Sequence, residues 1–236
     1  MNKAEKKTWQ ERYSYCTELL ERPDIVFVYP REFSRTSEVV VEKLQEIMDY
    51  LKYITGLNPT YSFKQRTVVG YRHPDNEGGK ECQPGWLPNW VNIPWNYLKK
   101  PDEPMDACSH ELVHPFFRCS PLHYRNEGWG EGFCDFLRGP VKRVVGLDGA
   151  NWWQTMLEAA KDGKDSEYHY PAGQFALMAY EKFGQRSGSI EAFLNDSDGI
   201  RAFVRYLFSN FEYVSLSTLI MPSPKMEKKW MGKDKI

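Results

Sequence analysis

Residues Ser109-His110-Glu111-Leu112-Val113-His114 place two histidines four positions apart, with a glutamate directly after the first. On an α-helix, side chains four residues apart lie on the same face, one turn above the other. The two imidazoles can therefore reach one metal ion, and neutral imidazole nitrogens bind zinc at about 2.0–2.1 Å. Glu111 can reach a water molecule on that ion without binding the ion. This pattern predicts a Zn²⁺ site with His110 and His114 as ligands and Glu111 as the general base.

A second motif follows after a short connection, in the run Glu127-Gly128-Trp129-Gly130-Glu131-Gly132-Phe133-Cys134-Asp135-Phe136. A catalytic zinc site needs three protein ligands and one open position for water, and Glu131 is a candidate for the third ligand. If the run is helical, Asp135 lies one turn after Glu131 on the same side. Asp135 could then accept the second ring N–H of a zinc-bound histidine and fix its tautomer.

The two motifs, His110-Glu111-x-x-His114 and Glu131-Gly132-x-x-Asp135, resemble those of the gluzincin metallopeptidases, the thermolysin-like clan. In style they are closest to the peptidase MA and basic-secretory-protein-like families. The resemblance covers roughly residues 85–185, and only the two ligand motifs are specific. It implies a zinc-dependent peptidase in which His110, His114 and Glu131 bind Zn²⁺ and Glu111 is the base.

Two alternatives for the third ligand stay open. The run Asn126-Glu127-Gly128-Trp129 resembles the Asn-Glu-Gly signature of the aminopeptidase branch, which would make Glu127 the ligand. His123 is another candidate. We favour Glu131 because Asp135 then has a role. The metzincin pattern, which needs a glycine and a third histidine soon after the first motif, does not fit residues 115–120.

The length, amino-acid composition and net charge of the chain limit its possible folds and binding partners. The chain has 236 residues, of which 41% are hydrophobic, so it can form one sizeable core, in one or two lobes. A net charge of −1 argues against a nucleic-acid partner held by bulk charge. No apolar run is long enough to span a bilayer, which excludes the intramembrane proteases that share the zinc motif His-Glu-x-x-His. The N-terminus has no apolar signal core, which favours a cytoplasmic location, or secretion if a signal has been removed.

The five cysteines are an odd number without the spacing of a disulfide framework. Reduced thiols are the simpler interpretation, whereas four paired cysteines would suit a secreted protein. Cys108 and Cys134 lie inside the two motifs, where we expect them to be small packing residues.

The predicted fold class is α+β, with a small N-terminal mixed sheet and a backing helix. Residues 24–29 and 67–71 are apolar runs typical of strands. Between them, apolar residues recur at helical spacing up to Gly56. Residues 90–95 predict a third strand, and Pro94 predicts that this strand lies at a sheet edge or ends there.

In the gluzincins an edge strand at this position holds an extended peptide. The resemblance therefore implies that Trp90 and Asn92 contact the substrate by strand addition. An ordinary edge strand is the alternative.

The chain is expected to divide into four parts. Residues 1–22 form a helix or arm, 23–118 an α+β lobe with the zinc helix at 105–117, 119–222 a helical lobe with the third ligand, and 223–236 a lysine-rich tail. The helix of the second motif is predicted from 127 to 137, with Gly139-Pro140 ending it. Further helices are predicted at 151–161, 171–183, 189–194 and 199–208. The resemblance implies an active cleft between the lobes.

A tetrahedral oxyanion needs a second donor besides the metal. Tyr170, just before Ala172-Gly173, resembles a tyrosine that peptidase-MA-like sequences carry before a small-residue helix start. His169 is the rival, because an imidazolium could donate in the same way. A packing role is the commoner fate of a tyrosine.

The sequence therefore predicts a zinc metallopeptidase acting on a peptide or protein substrate. An endopeptidase is favoured, because no Gly-x-Met-Glu-Asn-like motif precedes the zinc motif. Two alternatives are a gluzincin-like module that binds a partner without cleaving it, and a zinc hydrolase that acts on a non-peptide amide. An intact Glu111 argues against the first. Deformylases use an upstream cysteine ligand, and Cys108 is too close to His110 for that arrangement.

Overall fold

A computed structural model describes residues 1–71, 89–95, 97, 102–124, 127–162 and 169–211. Over these residues the fold is α+β, as predicted. The strands are β1 (Glu18–Glu21), β2 (Ile25–Tyr29), β3 (Thr67–Tyr71) and β4 (Trp90–Ile93). The helices are α1 (Lys3–Arg12), α2 (Ser34–Thr55), α3 (Pro59–Phe63), α4 (Asp102–Glu111), α5 (His114–Cys119), α6 (Glu127–Val144), α7 (Gly149–Asp162), α8 (His169–Ala179), α9 (Ile190–Leu194) and α10 (Ser197–Ser209). The predicted tail at 223–236 lies outside the described residues.

The chain forms two compact units. The first contains Met1–Lys52 and Leu57–Phe116, and the second contains Tyr53–Gly56 and the chain from Phe117 onward. None of the helices in the described ranges is long and apolar enough to cross a membrane.

The sheet of the first unit is mixed and has the order β1-β2-β3-β4. β1 runs antiparallel to β2, whereas β2, β3 and β4 are mutually parallel. All five residues of β2 and of β3 are buried, as expected for apolar strands in the middle of a sheet. β4 lies at the edge of the described sheet, in agreement with the prediction from Pro94. β1 was not predicted, because Glu-Leu-Leu-Glu has only two apolar residues and no alternation.

Helix α2 connects the parallel strands β2 and β3 and supplies the predicted backing helix. Its apolar stripe is buried at Val40, Val41, Leu44, Ile47, Met48, Leu51 and Ile54. The helix ends before Gly56, whose φ of +71° is a left-handed conformation that glycine adopts at little cost. Both the helix and its end agree with the sequence prediction.

The N-terminal segment packs against the same sheet. The hydroxyl of Tyr13 donates to the carbonyl oxygen of Val91 at 2.6 Å. A Cβ at Gly70 would lie 2.5 Å from the Tyr13 ring, so only glycine leaves room for that ring on β3. Glu5 is 2% exposed and accepts hydrogen bonds from the backbone N and the guanidinium of Arg66. Helix α1 is therefore fixed to the first unit by an ion pair as well as by packing.

A buried carboxylate joins the start of β2 to α2 and α3. Asp24 is 2% exposed and accepts hydrogen bonds from Lys52 Nζ at 2.5 Å, Gln45 Nε2 at 2.7 Å and Thr60 Oγ1 at 2.9 Å. Burial alone would raise the pKa of Asp24, but these three donors outweigh it and hold the pKa below its usual range. Burial also acts to raise the pKa of Glu5, but the hydrogen bonds from Arg66 outweigh this effect and lower the pKa.

The first unit is therefore expected to lose stability in acid. A carboxyl group with a lowered pKa in the folded state stabilises the fold above its unfolded pKa of about 4, and that stabilisation is lost as the pH falls through the folded value. We expect the free energy of unfolding, measured by urea titration, to be level from pH 7 to about 5 and to fall below that. Asp24→Asn should lower it by about 3 kcal/mol at pH 7 and reduce the acid-dependent loss.

Glu46 is the matched control for Asp24, because it is an exposed acid on α2. Glu46→Gln should leave both the stability at pH 7 and its pH dependence close to wild type. If Asp24→Asn keeps the full acid-dependent loss, the lowered pKa of Asp24 is not its cause.

The second unit has an aromatic core built on α6, α7, α8, α9 and α10. Its fully buried large side chains are Phe133, Phe136, Trp153, Phe175, Phe193 and Phe203. The helices predicted downstream of residue 150 are all found, with ends shifted by a few residues. A π-helical turn, Tyr180–Gly184, follows α8 within the segment predicted as one helix.

The predicted end of α6 at Gly139-Pro140 is wrong, because the helix continues to Val144 with Pro140 inside it. Proline has no N–H for the carbonyl four residues earlier, which is that of Phe136. In the structure Trp153 Nε1 donates to that carbonyl at 2.9 Å. A Cβ at Gly139 would lie 2.3 Å from the Trp153 ring, so the glycine makes room for the tryptophan. A residue of α7 thus replaces the lost helical bond.

Candidate metal centre

The zinc motif lies on two helices and not on the single helix predicted at 105–117. Helix α4 ends at Glu111 and α5 begins at His114, with a turn at 112–113 between them. Pro115 accounts for the break: it has no N–H for the carbonyl of Glu111, and proline is tolerated in the first turn of a new helix, here α5. The Val113 N–H donates to the carbonyl oxygen of His110 at 3.0 Å. This bond spans three residues, and not the four of an α-helix, so the backbone forms a tighter turn here.

The two histidine rings nevertheless converge. His110 Nε2 and His114 Nε2 are 3.2 Å apart, and the rings meet edge to face at 72°. In a tetrahedral zinc site with bonds of 2.0–2.1 Å, two ligand nitrogens lie about 3.3–3.4 Å apart. The pair therefore has the separation that two ligands of one ion require. Without an ion, one neutral ring can donate a hydrogen bond to the other at this distance.

Glu111 lies beside the pair and is largely buried. It is 8% exposed, and its Oε2 is 3.8 Å from His114 Nε2. His114 is also buried, whereas His110 is partly exposed. If the two nitrogens held an ion, a carboxylate at this place would be in reach of a water on that ion, as a general base must be.

A cysteine is the third member of a group that could hold a metal ion. The ligand atoms of His110, His114 and Cys134 all lie within 4.8 Å of one another. Cys134 is fully buried and carries a thiol, not a disulfide. Imidazole and thiolate are both good zinc ligands. We predicted only a packing role for Cys134 from the sequence, although its place three residues after Glu131 on one helix was a signal that the two share a side.

The predicted third ligand is not in that group, so Glu131 stays a prediction. Glu131 lies in α6 and is partly exposed. Glu127 is the first residue of the same helix, and its side chain is outside the described part of the structure. His123 is exposed, and its Nδ1 lies 2.7 Å from the carbonyl oxygen of Ser120.

Asp135 is buried in α6, with Oδ1 3.9 Å from Arg138 Nη1. Its carbonyl oxygen accepts from Trp152 Nε1 at 2.9 Å. The predicted hydrogen bond from a histidine to the Asp135 carboxylate stays a prediction.

The remaining predicted site residues lie in α8 and β4. Tyr170 and its rival His169 lie in the first turn of α8, with side chains outside the described part. In β4, Asn92 is buried, and Trp90 is partly exposed with the Arg12 guanidinium 4.7 Å from its ring centre. Their contact with a substrate stays a prediction.

A positive charge lies near the thiols of the second unit. Burial lowers the pKa of Arg118, and the sulfur atoms of Cys119 and Cys134 act in the opposite direction, in favour of the charged guanidinium. A deprotonated sulfur at Cys134 would therefore have a counter-charge nearby.

Comparison with known proteins gives no family for this chain. No family model matches it, and no curated protein is significantly similar to it.

Proposed function

We propose that this protein is a zinc-dependent metallopeptidase in which His110 and His114 bind the metal and Glu111 is the general base. The observation that carries the proposal is the 3.2 Å separation of the two Nε2 atoms, which fits two ligands of one zinc ion. The Glu111 carboxylate beside them supports hydrolysis over a purely structural site, because a structural site has no use for a base. The same residue argues against a silent binding module.

The residues of the chain have distinct parts in the proposed reaction. His110 and His114 would hold the Zn²⁺, which would supply a water of lowered pKa and polarise the scissile carbonyl. Glu111 would take the proton of that water and later give it to the leaving amine. Tyr170 is proposed to donate to the developing oxyanion, and Asp135 to hold the ring N–H of a ligand histidine.

An extended peptide is the proposed substrate. Its main chain would pair with the edge strand β4, where Trp90 and Asn92 lie, so that affinity comes from backbone hydrogen bonds whatever the peptide sequence. The gluzincin resemblance supports Glu131 as the third ligand and an endopeptidase activity.

A second candidate is a zinc hydrolase that acts on a non-peptide amide. The group of His110, His114 and Cys134 favours it, because deformylases combine the same zinc motif with a cysteine ligand. The two candidates share the base Glu111 and differ in substrate and third ligand.

Zinc content and zinc-dependent hydrolysis test the proposed function together. Protein purified without added metal should contain about one zinc per chain by elemental analysis and should cleave an unfolded protein substrate. A chelator should abolish cleavage, and added zinc should restore it. His114→Ala should lose both zinc and cleavage. His123→Ala is the matched control and should keep both, because His123 is exposed and bound to its own turn.

Three outcomes would change the proposal. Wild-type protein that takes up no zinc, or that cleaves equally well after chelation, overturns the metallopeptidase proposal. Cleavage of small formyl or acyl amides, with unfolded protein left intact, supports the second candidate. Loss of zinc in His123→Ala would make His123 a ligand.

A further inference from the structure

Helices α6 and α8 approach very closely at Gly132. A Cβ at this position would lie 2.3 Å from Pro171 Cβ and 3.2 Å from Ala172 N. Gly132 is inside α6, where any residue could adopt the backbone conformation, so the glycine is needed for space and not for its φ. Pro171 lies in the first turn of α8, where a missing N–H leaves no helical bond unmade.

The contact joins the two segments that the proposed function requires. Gly132 follows Glu131, the proposed third ligand, and Pro171 follows Tyr170, the proposed oxyanion donor. One turn further along α8, Phe175 packs against Trp129 with ring centres 5.3 Å apart and against Phe133 at 6.1 Å. These rings fix α8 on α6, so a side chain added at Gly132 cannot be accommodated by a shift of Pro171 alone.

We propose that Gly132 is a positioning residue whose missing side chain sets the distance between the backbone at Glu131 and the backbone at Tyr170. The proposal rests on the proposed metallopeptidase function. Ordinary contact begins at 3.4 Å, so an added methyl group at 2.3 Å would displace α8 by about 1 Å. A displacement of that size in an active site can cost about 100-fold in rate.

Gly139 provides a matched control, because it lies in the same helix and a Cβ there would lie equally close, 2.3 Å, to the Trp153 ring. Gly132→Ala and Gly139→Ala should both lower the thermal midpoint of unfolding. With zinc saturating, only Gly132→Ala should lower kcat, by about 10- to 100-fold, with KM within about threefold of wild type.

Pro171→Gly tests the contact from the other side, because it removes the opposing Cβ. In the Pro171→Gly background, Gly132→Ala should change kcat by no more than about threefold. This pair of variants stays informative if Gly132→Ala alone does not fold.

Failure of the proposed function and failure of the positioning role of Gly132 give different results. If the wild type shows no zinc-dependent hydrolysis, the proposed function falls and the positioning role falls with it. If the wild type is active and Gly132→Ala has the kcat of Gly139→Ala, only the positioning role is overturned. The same holds if Gly132→Ala lowers kcat as much in the Pro171→Gly background as in the wild-type background, which would mean that the close contact is not the cause.

Discussion

Glu111→Gln is expected to lower kcat for peptide hydrolysis by about 1,000-fold and to leave the zinc content at the wild-type level. Glutamine has the size and shape of glutamate but cannot take a proton from the attacking water. Glu111 Oε2 is 3.8 Å from His114 Nε2, so the carboxylate is beside the proposed ligand nitrogens and is not expected to be a ligand itself. The substitution should therefore remove the base and keep the site.

The measurement is kcat on an unfolded protein substrate, with zinc determined on the same sample. Glu103→Gln is the control, because Glu103 is a partly buried acid on the same helix, α4, and no role is proposed for it. It should keep both zinc and activity. Loss of zinc in Glu111→Gln would show that the carboxylate binds the metal, and full activity would show that another group is the base.

Local patterns of apolar residues were sufficient to predict the strands and the helix whose formation depends mainly on burial. Strands β2 and β3 and helix α2 are recognisable because their apolar residues follow the period of the element and are then buried. β1 has no such pattern, and its strand conformation comes from pairing with β2. Pairing between strands depends on a partner elsewhere in the chain, so a four-residue segment does not reveal it.

The two internal prolines show why helix ends are harder to predict than helices. Pro115 breaks the zinc motif into two helices, whereas Pro140 lies inside α6. The difference at Pro140 is that the carbonyl left without its helical donor accepts a hydrogen bond from Trp153. That donor is on another helix, so the sequence around Pro140 cannot show whether the helix continues.

The site also has a part that local sequence predicts and a part that depends on contacts from elsewhere in the chain. The histidine pair and Glu111 are adjacent in sequence, and their spacing was enough to predict that the two rings converge. Cys134 joins the histidines only through the fold, and a buried cysteine in an apolar run is usually a packing residue. Membership of this group therefore depends on tertiary contacts, which the spacing of residues in the sequence does not show.

Glu131→Gln is expected to weaken zinc binding by at least about 100-fold, and Cys134→Ser to change it by no more than about threefold. Glu131 is partly exposed, as suits a ligand at a site that must stay open to water and substrate, whereas Cys134 is fully buried. A carboxylate also leaves the metal more electrophilic than a thiolate does, which suits the polarisation of a carbonyl. The two residues lie three positions apart on α6, so each variant is the matched control for the other.

Zinc affinity is measured by competition with a chromogenic chelator, and the same proteins are then loaded with Co²⁺. A sulfur ligand gives cobalt a thiolate-to-metal charge-transfer absorption in the near ultraviolet, and carboxylate or imidazole ligands do not. We expect this band to be absent from the wild type. If it is present and disappears in Cys134→Ser, the metal has a His-His-Cys ligand set. Glu131 would then not be the third ligand, and the non-peptide amide hydrolase would become the better description of the enzyme.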